Sequence, residues 1–278
     1  MQIPLNATLD WAERRVFVTP VPGCPAKCSF CYLESVNLAK PGQVSISSRR
    51  LCDQITNDSR FIPGDSGTVI SFGCLSETLA PHSIDATTAL LNELPTSNPI
   101  QIATRWAVTG EALSSFLQVA LERQVVLFHS FSTLKEVRTF ETGTPSLGQR
   151  FQFIDACRAA GLAAVLYIKP FIPRVTTNSI DGFLQLARNL ECKDVVVGPL
   201  FLDNVIESRL SSKVPSETLQ AAFRSEYFPV GTATAGDINQ IDSELQEFIT
   251  AFRDAEFSVS FHGSDVLKDV RSSFYALG

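Results

Sequence analysis

An α/β fold is what this 278-residue sequence predicts: a parallel sheet curled into a partial barrel of six βα units, followed by a short C-terminal extension. Three observations lead there. Six short runs rich in Val, Ile, Leu and Phe read as strands buried on both faces. Helical stretches with one apolar face lie between them, the alternation expected of βαβ units. Right-handed crossovers then curl successive units the same way. A chain of this length buries roughly three quarters of its unfolded surface, so it needs neither disulfides nor a metal simply to fold.

The strands are expected at Val16–Val21, Thr68–Gly73, Ile100–Arg105, Val125–Ser130, Ala163–Lys169 and Asp194–Gly198. Leu113, Phe116, Leu117 and Ala120 fall at helical spacing, and so do Ile180, Phe183, Leu184, Ala187 and Leu190. Cys157 shares the apolar face of another helix with Phe153, Ile154 and Ala160, which reads as core. Two further units would be needed to close an eight-fold barrel, and the sequence does not supply them. After about Ser208 the alternation weakens. Pro215 and Ser216 introduce a short helix expected over Glu217–Ser225. A longer helix carries Ile241, Leu245, Phe248, Ile249 and Phe252, with a short strand expected at Ser258–His262. Residues 1–207 are therefore read as the barrel and 208–278 as an extension packed on it.

Composition narrows the function. Lys plus Arg number 23 and Asp plus Glu 29, a net charge of −6. That counts against generic nucleic-acid binding, which leaves a basic footprint, though it allows a local basic groove. The longest apolar stretch, near Ala159 to Ile168, is too short to cross a bilayer. The opening MQIPLNATLDWAERR lacks the basic and apolar regions of a secretory signal, which points to the cytoplasm, where thiols stay reduced. Seven cysteines there suggest metal or catalysis rather than a disulfide framework.

Three of them stand together. Gly23-Cys24-Pro25-Ala26-Lys27-Cys28-Ser29-Phe30-Cys31-Tyr32-Leu33 has the spacing C-x3-C-x2-C and follows the first expected strand. Three thiolates so close on a loop can bind three irons of a [4Fe–4S] cubane, leaving the fourth iron to a non-protein ligand. Structural zinc sites normally close four ligands, and no fourth Cys or His stands nearby; zinc, or a disulfide plus a free thiol, remains the alternative.

With Tyr32 directly after the third cysteine, this motif resembles that of the radical S-adenosylmethionine (SAM) superfamily. The resemblance implies a partial radical SAM barrel and two cofactors, a [4Fe–4S] cluster held by Cys24, Cys28 and Cys31, and SAM on the open iron. It also implies the chemistry: reductive cleavage of SAM to a 5′-deoxyadenosyl radical that abstracts hydrogen, with electrons from an external reductase of flavodoxin or ferredoxin type. Beyond the triad the chain is similar to the spore photoproduct lyase branch, from about Val18 to Leu202. The segments that carry the similarity are GCPAKCSFCYL, Ser71 to Glu77, and Phe128 to Pro173.

In the lyase, a cysteine matching Cys74 returns hydrogen to a product radical. Cys74 also ends a predicted strand, where barrel active sites collect; packing as a small buried hydrophobe is the competing reading. The lyase has tyrosines on both sides of its third cluster cysteine, whereas Phe30 precedes it here. Tyr32 is thus a candidate catalytic residue in an incomplete relay, or packs over SAM or the cluster. Ser71-Phe72-Gly73 stands in place of the Gly-Gly-Glu-Pro-like stretch with which the superfamily meets the SAM amino group, so the resemblance leaves that contact to backbone carbonyls or to Ser76. Arg105 matches a basic residue that could hold the SAM carboxylate, a task suited to a guanidinium fork. Ser130 and Ser132 end a strand and could meet the ribose or carboxylate, and Lys169 ends another near the expected adenine.

Three substrate readings follow. The first is a ribosomally synthesised peptide, modified in backbone or side chain as by spliceases that excise tyramine; it calls for a small partner protein that recruits the leader peptide. The second, disfavoured by the charge, is repair of a DNA photoproduct. The third is a non-enzymatic iron–sulfur or zinc protein.

Overall fold

The computed structural model describes residues 9–275 apart from 13, 44–45, 96, 221 and 225–242. Its strands are β1 (Leu9–Ala12), β2 (Arg15–Val18), β3 (Lys27–Cys28), β4 (Val69–Phe72), β5 (Ile100–Thr104), β6 (Val126–Phe131), β7 (Glu141–Thr142), β8 (Ala164–Phe171), β9 (Asp194–Pro199), β10 (Phe201–Leu202), β11 (Phe223–Arg224) and β12 (Ser258–Ser260). The helices are α1 (Ser48–Thr56), α2 (Ile84–Glu93), α3 (Gly110–Glu122), α4 (Val137–Phe140), α5 (Leu147–Ala159), α6 (Ile180–Asn189), α7 (Asn204–Leu210), α8 (Ser216–Gln220), α9 (Ser243–Asp254) and α10 (Gly263–Tyr275).

One eight-stranded sheet has the order β1-β2-β4-β5-β6-β8-β9-β12. The six expected strands run parallel through it in chain order. The strand expected near residue 258 joins them, shortened to β12 and parallel to β9. β1 pairs antiparallel with β2 at the other edge; its four residues, LDWA, are too few to show a period in the sequence. Among the described residues the sheet does not close on itself.

Two expectations in the extension need correction. The helix expected over 217–225 ends at Gln220, because Phe223 and Arg224 instead pair in parallel with β10; residues 221 and 225 lie outside the described residues. The longer helix begins at Ser243, and Ile241 likewise lies outside them.

Alternation along the strands separates two apolar layers, as it must when both faces are buried. Val16, Val18, Ile70, Phe72, Leu127, Leu166, Val195 and Val197 face the surrounding helices. Val69, Val126, Phe128, Val165 and Val196 face inward, against Val266, Leu267 and Val270 of α10. α10 runs along the inner face of the curl. Gly263 at its start packs so closely that a Cβ there would lie 3.1 Å from Gln101 Oε1. Tyr275 at its end donates to the Val125 carbonyl (2.7 Å) and accepts from the Ala163 N–H (3.1 Å). The last helix thus fills the lower half of the barrel and leaves the upper half as a cavity. α9 packs outside, Phe248 against Phe171 and Phe183 at ring distances of 5.1 and 6.1 Å.

Candidate active site

The cysteine loop leaves β2 and is held from three directions. Gly23 opens it at φ +89°, where an added Cβ would lie 2.0 Å from the Lys40 carbonyl oxygen, so only glycine fits. From the loop after β4, Leu75 accepts from the Gly23 N–H (2.8 Å), and the Glu77 N–H donates to the Gly23 carbonyl (3.1 Å). On the second side, β3 pairs antiparallel with β7, setting Cys28 opposite Glu141. Third, α7 and the turn after it supply two cations. Arg209 on α7 donates to the carbonyls of Cys28 (3.5 Å) and Cys31 and pairs with Glu34 (3.2 Å). Lys213 donates to Ser29 Oγ and to the Thr139 carbonyl (3.0 Å).

Cys24, Cys28 and Cys31 line one wall of a single cavity, and Cys74 and Tyr32 line it too. Among the described residues, no three His, Cys, Asp or Glu side chains converge on a single-ion position. Burial pushes all three thiols up, Cys24 to about 12 with help from Glu77. Arg105 acts on each of the three in the opposite sense. The free thiols are thus protonated at neutral pH, and metal loading must displace their protons.

Arg105 is the hub of this wall. Burial alone would lower its pKa, but Glu141 and the surrounding thiols raise it, so it stays charged. Its guanidinium lies 5.0 Å from the Phe30 ring centre, 3.7 Å from Glu141 Oε1 and 3.5 Å from Ser132 Oγ, and it donates to the Lys169 carbonyl. Behind it is a buried network. Arg150 donates to Glu141 Oε2 (2.5 Å), to the Ser130 carbonyl and to His129 Nε2 (3.4 Å), while the Ser132 N–H donates to Glu141 Oε1 (2.6 Å). Burial, Arg150 and Arg105 all hold His129 well below its ordinary range, so it is neutral and structural.

The other expected residues are distributed as follows. Cys74 follows Gly73, whose φ of +97° and close approach to the Ala103 carbonyl (2.1 Å from an added Cβ) aim the turn into the cavity. Burial pushes the Cys74 thiol up to about 12 against Arg15 and Lys169, so it carries its hydrogen. The Tyr32 hydroxyl donates to the Cys74 carbonyl. Ser76 lines the cavity, and its buried Oγ has no hydrogen-bond partner among the described residues. Ser130 lines the cavity and donates to the Lys169 carbonyl (3.2 Å). Lys169 sets its ammonium 5.1 Å from the Tyr167 ring centre. Ser132, expected to meet the ribose or carboxylate, is instead fully buried behind Arg105 and does not line the cavity, because its N–H is tied to Glu141.

Sequence reading passed over Glu77, one residue beyond Ser76. It is buried in the cavity wall, accepts from the Thr104 hydroxyl and from the Arg105 N–H (2.9 Å), and has its pKa raised by burial against those donors. A carboxylate inside the quoted Ser71–Glu77 segment was the available signal. Arg15, Gln101 and Tyr167 also line the cavity; their inward parity on β2, β5 and β8 would have found them. His262 lines it from beyond β12, and no local pattern announces that.

The solved structures with this architecture decide the fold. Spore photoproduct lyase complexed with dinucleoside spore photoproduct superposes with a TM-score of 0.63 and 17% identity, over 93% of this chain and 81% of that one. The chain has the fold of spore photoproduct lyase. A doubly substituted variant of that enzyme, with bound AdoMet and dinucleoside spore photoproduct, gives 0.61 at 14% identity over 94% and 81%. Streptococcus suis SuiB bound to precursor peptide SuiA gives 0.55 at 15% identity over 90% of this chain and 49% of SuiB. At such identities the likeness is one of fold. No protein-family model matches the sequence, and no curated protein does. No described helix is long and apolar enough to cross a membrane.

Proposed function

We propose that the chain is a radical SAM enzyme acting on a peptide. The observation that carries the chemistry is the placing of Cys24, Cys28, Cys31 and Cys74 on one cavity in a spore photoproduct lyase fold. A [4Fe–4S] cluster and SAM, when bound, supply a 5′-deoxyadenosyl radical able to abstract hydrogen. The residues present fit these groups. Three sulfurs line one wall, Arg105 offsets thiolate charge beside them, and Ser76 Oγ offers an unused buried hydroxyl to SAM. Arg105 and Glu77 together make a cation–carboxylate edge suited to the two charges of an amino acid moiety, with Ser130 and Lys169 completing that wall. Thiolate ligation needs a reducing compartment, which fits the cytoplasm.

Cys74 keeps its S–H bond at neutral pH and faces the same cavity. It is suited to give a hydrogen atom to a carbon radical, breaking S–H and forming C–H. Anaerobic reconstitution with iron, reductant and SAM should yield 5′-deoxyadenosine, and no 5′-deoxyadenosine would overturn the reading. With a peptide substrate in deuterated solvent, deuterium should enter the product; in Cys74→Ala the label should vanish while 5′-deoxyadenosine still forms. Unchanged labelling would remove the assignment.

A peptide is favoured by the net charge of −6 and by the fold shared with SuiB, bound to its precursor peptide. We infer a small partner protein for the leader and an external flavodoxin- or ferredoxin-type reductase. The closer superposition on spore photoproduct lyase favours a second reading, repair of a DNA lesion. Duplex binding that weakens steeply with salt is its signature, and Phe30 in place of a relay tyrosine stands against it.

Arg209 tests the clamp on the cysteine loop. Hydrogen bonds from a charged group contribute about 1.5–3 kcal/mol. Arg209→Ala should therefore speed loss of cluster iron to a chelator about tenfold or more, since about 1.4 kcal/mol is a factor of ten. The far-UV spectrum should not change. Equal release rates would show that the loop holds itself.

A further inference from the structure

We propose that Arg15 anchors a carboxylate of the peptide substrate, an acidic side chain or a free C-terminus, and so places the substrate beside Cys74. This rests on the peptide-modifying reading above and names the substrate feature it would use.

Arg15 opens β2 and shares the inward parity of Phe17, because Val16 and Val18 between and beyond them face the helices. Both Arg15 and Phe17 line the cavity. The other arginine lining the cavity, Arg105, lies 3.7 Å from Glu141, and Arg150 behind it lies 2.5 Å from the same carboxylate. Arg15 has no such carboxylate among the described residues. Its contacts there are one long hydrogen bond to Gln101 Oε1 (3.5 Å) and the Phe17 ring, 5.4 Å from its guanidinium carbon. The groups facing it are Tyr167 on β8, Cys74 after β4 and, from the first turn of α10, Asp265, which is exposed and forms no ion pair with it. Burial consequently lowers its pKa. A half-buried guanidinium whose one facing carboxylate is the exposed, unpaired Asp265 keeps its fork free for an incoming carboxylate.

Position argues for substrate rather than SAM. Arg105 acts electrostatically on all three cluster thiols, whereas Arg15 acts on Cys74. Among the described residues the cavity reaches from β2 across to the segment beyond β12, since Phe17, Phe261 and His262 line it together. A peptide can enter there and project one acidic group inward. Gln101 is buried and Gly263 packs on it, so the recess ends at α10.

The probe is acetyl-Gly-Gly-Glu-Gly-Gly-amide, titrated by ligand-observed NMR into protein loaded with iron and SAM. The neutral Gln analogue and the phosphodiester thymidylyl-thymidine are the comparison ligands. The Glu peptide should bind about tenfold or more tighter than the Gln peptide, a margin of about 1.4 kcal/mol, and Arg15→Gln should erase the difference. If that variant does not fold, Arg15→Lys, which keeps charge and loses the fork, should reduce the margin at least about threefold. Equal binding of the two peptides, no binding of either, or a margin that survives substitution would overturn the proposal. Tighter binding of the dinucleotide would overturn it in favour of a nucleic acid. Formation of 5′-deoxyadenosine by the unsubstituted protein is scored separately. Its absence defeats the radical reading and leaves the carboxylate result standing, and the converse holds.

Discussion

Glu141→Ala should destabilise the protein by about 3–5 kcal/mol, the range for removing one partner of a buried ion pair. Arg150 and Glu141 are both essentially without solvent contact, so the substitution strands a buried guanidinium. It also removes the acceptor for the Ser132 N–H and the anion facing Arg105. Urea unfolding followed by far-UV circular dichroism reads the loss. Glu141→Leu combined with Arg150→Met removes both charges and should recover much of it, because apolar replacements of a buried pair are often neutral. If the single substitution costs less than about 1 kcal/mol, or the double costs as much as the single, the network does not carry the stability assigned to it. Since β7 carries Glu141 and pairs with β3, the same single variant should also loosen Cys28.

Cys28→Ala should drop the iron of the reconstituted protein from about four per chain to below about one, and abolish 5′-deoxyadenosine formation with it. Cys157→Ala is the matched control. Both cysteines are buried, Cys157 fully, but Cys157 packs in the helix-side core away from the cavity. It should retain full iron, with a stability loss of about 1 kcal/mol for the atom removed. Iron analysis and the absorption of the cluster separate the two. Full iron in Cys28→Ala, or equal loss in both variants, would show that the triad is not the ligand set.

Much of the fold was legible because strand patterns and helical spacing are local. Val125–Ser130 and Asp194–Gly198 anticipate β6 and β9 to within a residue or so. Ends were less legible. Gly73 stops β4 by turning left-handed against Ala103, a contact made only once β5 is in place. Phe223–Arg224 reads as helix locally and becomes strand because β10 offers an edge. The triad and Cys74 were legible in the site because a short motif and a strand end announce them. Glu77 sat unremarked in a quoted segment. The Arg209 clamp and Arg15's isolation depend on partners brought from elsewhere in the chain, and no spacing rule encodes those.

The distance along the chain between the cysteine loop and its clamp has a consequence for biogenesis. Arg209 follows Cys31 by 178 residues, about 10–35 s of translation at roughly 5–20 residues per second. For that interval the nascent chain displays three thiols on a segment that lacks its latch, and oxidation or stray metal capture competes with folding. Under the radical SAM reading proposed above, iron delivery is therefore a step that belongs after Arg209 has emerged, and cells short of reductant during synthesis should accumulate polypeptide that can no longer be charged.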